Sequence, residues 1–153
     1  MGQRTILDRI TGLRKKLVTV CWRGPYSYQE IDDQSGYGLY LFTGKCKYQR
    51  VARVQYCGIT EQLYLKRFQS HHIIDDIERD LQIWLGQIIV PRRPARSTLL
   101  HAEWAVIYTL QPPLNTQCRW RPPEAITILS TWRKSRHPLI ADVPTVFPRR
   151  ITV

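Results

Sequence analysis

Two glycine–tyrosine triplets, Gly38-Leu39-Tyr40 and Tyr56-Cys57-Gly58, restrict this chain more than any other feature. Each lies in a run rich in Tyr, Leu, Phe and Val, residues that suit a pleated, half-buried strand. Residues 37–43 read as one strand and 51–57 as the returning strand, with Gly44-Lys45 opening the connection. Side chains alternate along a strand, so Gly38, Tyr40 and Phe42 are expected on one face, and Val54, Tyr56 and Gly58 on one face of the next. Antiparallel pairing then sets the two tyrosines side by side. A single strand tyrosine is ordinary packing, so any chemistry has to come from residues further along the chain.

The remaining pattern places those strands in a domain. Ile6, Ile10, Leu13 and Leu17 recur at helical spacing and predict an amphipathic helix over 5–17. Gly24-Pro25 and Asp32-Asp33-Gln34-Ser35-Gly36 mark 22–36 as a loop. A helix is expected over 61–71, with Thr60 as N-cap and Glu61 in its first turn, and a second over 74–80. The β-branched run Ile88-Ile89-Val90, ended by Pro91, predicts a strand over 81–90. After a basic linker from Pro91 to Arg96, Ser97 or Thr98 is expected to cap a helix to about Leu110, which Pro112-Pro113 stops. A last strand is expected near Ile126–Leu129.

The basic excess points to a partner. The 153 residues carry 23 Lys and Arg against 12 Asp and Glu, a formal charge of +11, and 17 of the 23 are arginine. Arginine forks match phosphate oxygens and base edges, so nucleic acid is the simplest anionic partner. The charge is uneven: residues 1–30 carry net +4, residues 31–90 net zero and residues 91–153 net +7. A neutral middle between basic flanks suits a catalytic segment gripped onto a polyanion by its surroundings. Cys21, Cys46, Cys57 and Cys118 form no C-x-x-C pair, which argues against a zinc ribbon and for reduced thiols in a cytoplasmic protein. No apolar run approaches membrane-helix length.

Three further groups could complete a site around the tyrosines. On the expected helix after the second strand, Arg67 and His71 are four apart and share a face, with Tyr64 one turn earlier. Alone, such a pair is a solvated surface; beside a phosphate, Arg67 could neutralise transition-state charge. In the later helix, Glu103 falls within the apolar stripe of Leu99, Leu100, Val106, Ile107 and Leu110. A carboxylate there needs a partner, either Arg67 or a metal ion. One carboxylate plus several waters is a coordination that Mg²⁺ accepts. Asn115 follows Glu103 by twelve positions.

This ordered set resembles the GIY-YIG nuclease family over residues 36–116. Gly38-Leu39-Tyr40 stands for the first triplet and Tyr56-Cys57-Gly58 for the second. Arg67, Glu103 and Asn115 match the family's arginine, glutamate and asparagine, and His71 the histidine of several members. The chain departs from the pattern in its central residues, Leu39 and Cys57. It also places fifteen residues between Tyr40 and Tyr56, more than is usual in the family. No lysine follows Gly58 closely, which leaves that role to Lys66 or to nothing.

The resemblance implies an α/β (α+β) fold whose small, three-stranded, mostly antiparallel sheet is flanked by helices. A single domain is expected over 1–153. It comprises the core at 36–116, an N-terminal helix and loop at 1–35 and a basic C-terminal extension at 117–153. The implied activity is endonucleolytic hydrolysis of DNA, duplex favoured, with Mg²⁺ on Glu103 and Mn²⁺ as a substitute. Tyr56 is the implied general base, or passes a proton toward His71, and activates a water. Tyr40 supports the nucleophile or phosphate, Arg67 stabilises the phosphorane and Asn115 braces the site.

Expected DNA contacts are Lys45, Lys47, Arg50 and Arg53 in the long hairpin, then Lys66. Arg119, Arg121, Arg133, Lys134 and Arg136 complete the set, with Trp120 and Trp132 interleaved. Compact members of the family include restriction enzymes, so the resemblance implies a restriction, host-defence or mobile-element role, as a homodimer or within a larger defence assembly. A nuclease subunit or a non-catalytic DNA-binding protein are the competing readings. His101-Ala102-Glu103 matches the H-x-E of zinc deaminases, but only Cys118 comes after it where that chemistry needs P-C-x-x-C.

Overall fold

The computed structural model describes residues 17–33, 35–124 and 126–133. It contains strands β1 (Leu17–Tyr26), β2 (Gly36–Lys45), β3 (Arg53–Leu63), β4 (Arg79–Val90) and β5 (Thr127–Arg133). A short helix α1 (Tyr64–Phe68) follows β3, and a long helix α2 (Arg96–Leu110) follows β4. The fold is α+β. Its five strands form one mixed sheet in the order β3-β2-β4-β1-β5. β2 pairs antiparallel with β3 and β4, and β4 with β1, while β5 runs parallel to β1.

The expected antiparallel trio is present as β3-β2-β4, but the sheet is larger than three strands. The segment expected to open a loop at residue 22 instead carries β1 to Tyr26 through Gly24-Pro25. It holds there because Trp22 and Arg23 keep ladder partners on both sides, β4 and β5. The expected helix over 5–17 lies outside the described residues, apart from Leu17, which begins β1.

Two further boundaries differ from the sequence pattern. β3 runs on to Leu63, so residues 61–63 are strand and α1 is only Tyr64–Phe68. Pairing of Gly38 with Thr60 and Gly36 with Leu63 extends the ladder through the segment expected to turn helical. Thr60 caps nothing; its hydroxyl is bonded to the Gln62 backbone. The expected helix over 74–80 is a 3-10 segment at His72–Asp76, after which Arg79 starts β4. α2 begins with Ala95 as N-cap and no side-chain capping bond, so neither Ser97 nor Thr98 serves.

The sheet buries a different layer on each face. One face packs Val18, Val20, Trp22, Leu39, Leu41 and Trp84 against Leu99, Ala102, Ala105, Val106 and Ile107 of α2. The alanines on the buried side let the helix lie close to the strands. The other face packs Tyr40, Phe42, Ile83 and Leu85 under Tyr64, Phe68 and Ile77. A register shift in the β2–β3 ladder matters for the site. Phe42 pairs with Tyr56 and Thr43 with Val54, so Gln55 is an extra residue in β3. Val54 therefore joins the α2 layer while Tyr56 packs in the aromatic layer, contrary to the shared face expected from alternation.

Candidate active site at the edge of the sheet

The triplet glycines have steric reasons. Tyr40 sits directly across the ladder from Gly58, and a Cβ on Gly58 would collide with the Tyr40 ring and hydroxyl. Gly58 is thus the seat of the Tyr40 phenol. A Cβ on Gly38 would strike the Tyr64 hydroxyl, which lies 3.0 Å from the Leu39 carbonyl oxygen and 3.2 Å from that of Gly86. The first glycine therefore admits the α1 tyrosine that pins helix to sheet.

Tyr40 is fully buried, and its hydroxyl gathers the other residues. It lies 2.8 Å from His71 Nε2 and accepts a hydrogen bond from Arg67 Nε at 3.2 Å. Burial, reinforced by the adjacent Tyr56, holds the Tyr40 phenol well above its ordinary pKa, so it keeps its proton. Burial and then the Arg67 charge press His71 down to about 4, so its ring is neutral at neutral pH. With Arg67 donating to Tyr40, the phenol proton can point at Nε2 in the His71 tautomer that leaves that nitrogen bare. Arg67 and His71 do not meet as helical neighbours, because α1 ends at Phe68. His71 instead lies just before the 3-10 segment, and both side chains converge on one hydroxyl.

Tyr56 stands at the open side of this cluster. Its ring is 6.2 Å from that of Tyr40 and meets His71 edge-on at 5.0 Å. It lines a cleft of about 510 Å³ together with Ile59 and Thr60 of β3, Arg67, and Leu100 and Glu103 of α2. Tyr40 and His71 do not line that cleft; they hold the groups that do. The Tyr56 pKa is raised, first by burial and then by the Glu103 charge, with Arg67 opposing.

Glu103 reaches the cleft from the helix on the other face, around edge strand β3. Its pKa is pushed up to about 7 by burial, only partly offset by Arg67. Among the described residues no hydrogen bond or ion pair engages its carboxylate. Arg67, one expected partner, spends its Nε on Tyr40 instead. No group of three or more His, Cys, Asp or Glu is placed to hold a metal among the described residues. A half-buried, unpaired carboxylate in an open cleft nevertheless fits a hard divalent ion that keeps most of its waters.

Asn115 is a brace. Its Oδ1 accepts from Cys57 N and its Nδ2 donates to Cys57 O, both at 2.9 Å and fifty-eight positions apart in sequence. It imitates a further strand beside β3 and fixes the backbone between Tyr56 and Gly58. Leu114 N adds a third bond, to Gln55 O at 2.9 Å.

The cleft also holds residues that the sequence pattern did not single out. Arg96, the first residue of α2, and Glu61 of β3 line it and are ion-paired to each other. The signal for Arg96 was the basic linker, while Glu61 was concealed by its assignment to a helix. Of the expected DNA contacts, Lys45 is held by Asp80 at 2.7 Å and Lys47 lies over the Tyr48 ring at 5.3 Å. Arg50, Arg53 and Lys66 are exposed. Arg119 and Arg121 flank Trp120 in the loop after α2, and Arg133 ends β5. Lys134 and Arg136 lie outside the described residues. Trp132 stacks on Trp22 at 5.5 Å and meets Trp84 edge-on, so it serves packing.

No family model, curated protein or solved structure matches this chain.

Proposed function

We propose that this chain is a metal-dependent endonuclease of the GIY-YIG type, hydrolysing DNA phosphodiester bonds in a restriction or host-defence role. The observation that carries this reading is the convergence of Tyr56, Arg67 and a Glu103 without a hydrogen-bond or ion-pair partner among the described residues on one open cleft. A protein that only binds nucleic acid has no use for a carboxylate whose burial costs free energy and draws no partner.

Glu103 would hold one divalent ion, Mg²⁺ or Mn²⁺, which supplies positive charge against the leaving oxygen. The chain's own residues do the rest. Arg67, oriented by its bond to Tyr40, keeps its remaining N–H groups for the non-bridging phosphate oxygens. Tyr56 is the phenol that meets the attacking water. Burial first, and then the Glu103 charge, hold that phenol protonated, so Tyr56 could accept a proton from water only after giving up its own, which positive charge at Arg67 and at Glu103 would favour. Tyr40 and His71 position Arg67 and Tyr56 from beneath, and Asn115 fixes the strand. Tyr40 thus takes a positioning part rather than contacting phosphate.

The test is incubation of purified protein with plasmid, linear duplex, single-stranded DNA and RNA, with and without Mg²⁺. DNA cleavage that EDTA abolishes is expected. Tyr56→Phe should lower the single-turnover rate by roughly 10²–10⁴-fold with folding retained. Cleavage by homogeneous protein in excess chelator would sink the proposal.

A further inference from the structure

Trp120 is an exception in a chain that otherwise uses its described tryptophans for packing or anchoring. It is 80% exposed, whereas Trp22 and Trp84 are buried at 1% and 2%. The backbone on both sides of it is nonetheless clamped to α2 and its C-cap residue. Gln111 Nε2 donates to Arg119 O at 2.7 Å, and Trp104 Nε1 donates to Arg121 O at 2.7 Å. Cys118 enters the loop in the left-handed region, at φ 62°, which a non-glycine residue adopts only when its surroundings impose it. An indole in a mobile tail would need no such fixing.

The chemistry around the indole selects what it faces. The Arg119 guanidinium lies over the Trp120 ring at 5.4 Å, and Arg121 is the next residue. An exposed aromatic face between two arginines is suited to a ring that carries a phosphate. Its anchor, Trp104, is the residue after Glu103 on α2, so the platform hangs from the helix that lines the cleft.

We infer that Trp120 stacks one unpaired base of a nucleic-acid strand, with Arg119 and Arg121 on the adjoining phosphates. At that position the bound strand is then single-stranded or splayed rather than stacked within an uninterrupted duplex. Stacked duplex bases present only edges and terminal faces, whereas a flipped or single-stranded base offers its π-face. This rests on the proposed nucleic-acid substrate but not on cleavage, so it is tested in chelator, where no strand is cut.

The experiment measures binding of the full chain in EDTA to a labelled single strand, to the same sequence as blunt duplex, and to a single strand carrying 2-aminopurine. Trp120→Ala should weaken single-strand binding by about fivefold to a hundredfold and leave duplex binding nearly unchanged. Trp120→Phe should recover part of the loss. Stacking should quench 2-aminopurine fluorescence with the wild type and not with Trp120→Ala. Equal losses on both nucleic acids, or no loss on either, would overturn the inference. So would loss of self-association in sedimentation with nucleic-acid affinity intact, which would make Trp120 a protein contact. If Trp120-dependent binding is found but Mg²⁺ never produces cleavage, the base platform stands and the nuclease proposal fails.

Discussion

The two faces of the sheet are built from different materials. Beneath α2 the layer is aliphatic and tryptophan-rich, with alanines on the helix for close approach. Beneath α1 it is made of aromatic rings whose polar tips are bonded, Tyr40 to His71 and Arg67, and Tyr64 to the backbone carbonyls of Leu39 and Gly86. The first kind of layer supplies burial free energy and tolerates shape-conserving change. The second is a fully specified network in which one lost hydroxyl is felt by its neighbours. The cleft opens where the layers meet around β3. One face contributes Tyr56 and Arg67, and the other contributes Glu103.

That contrast can be broken most directly by exchanging damage between the layers. Trp84→Ala should cost about 3–5 kcal/mol of stability by cavity formation. The single-turnover rate of the folded fraction should stay close to wild type. Tyr40→Phe keeps the ring and removes the hydroxyl, so the rate should fall by about two orders of magnitude and the denaturation midpoint should move far less. Chemical denaturation beside single-turnover cleavage measures both. If the two variants lose rate alike, the layers are not distinct.

Asn115→Ala sharpens the comparison at the seam. It orphans the Cys57 N–H and carbonyl at once, and each costs about 1–3 kcal/mol when left unsatisfied. Urea denaturation should show that loss, and hydrogen exchange should show early opening of β3 rather than β1. Uniform protection across the sheet would mean that the brace is dispensable.

The smallest expected effect is a pH signature. Glu103 titrates near 7 in the fold, above its unfolded value, so the native state binds its proton more tightly. Its contribution is present in full below about pH 4.3 and is lost as pH rises toward 7. His71, lowered to about 4, works in the opposite sense. Its neutral native ring costs stability at low pH, and that cost disappears as pH rises through about 6.5, where the unfolded imidazole also loses its proton. The two slopes oppose each other over much of the acid range, so wild-type stability alone is uninformative. Glu103→Gln separates them. Its melting temperature should exceed wild type at pH 8 and match it near pH 4, while cleavage is lost at every pH. A variant less stable than wild type at pH 8 would mean that the carboxylate has a partner after all.

Local pattern alone carried the β2–β3 pair, β4 up to its proline stop and the extent of α2. Each depends on periodicity or on Pro and Gly chemistry within a few residues. The same reasoning put Glu103 in an apolar stripe, whereas the bracing role of Asn115 came only with the family resemblance. Tertiary structure decided whatever depended on partners distant in sequence. β3 overruns its expected helix because β2 offers ladder bonds to Leu63. β1 persists through Gly24-Pro25 because two strands flank it. The extra residue at Gln55 breaks the alternation, turning Val54 into one layer and Tyr56 into the other. Arg67 and His71 share a hydroxyl instead of a helix face, and of two tryptophans in one basic stretch, Trp132 is packed and Trp120 is exposed. Periodicity records which face of an element a residue occupies, but not what will stand opposite it when the chain closes on itself.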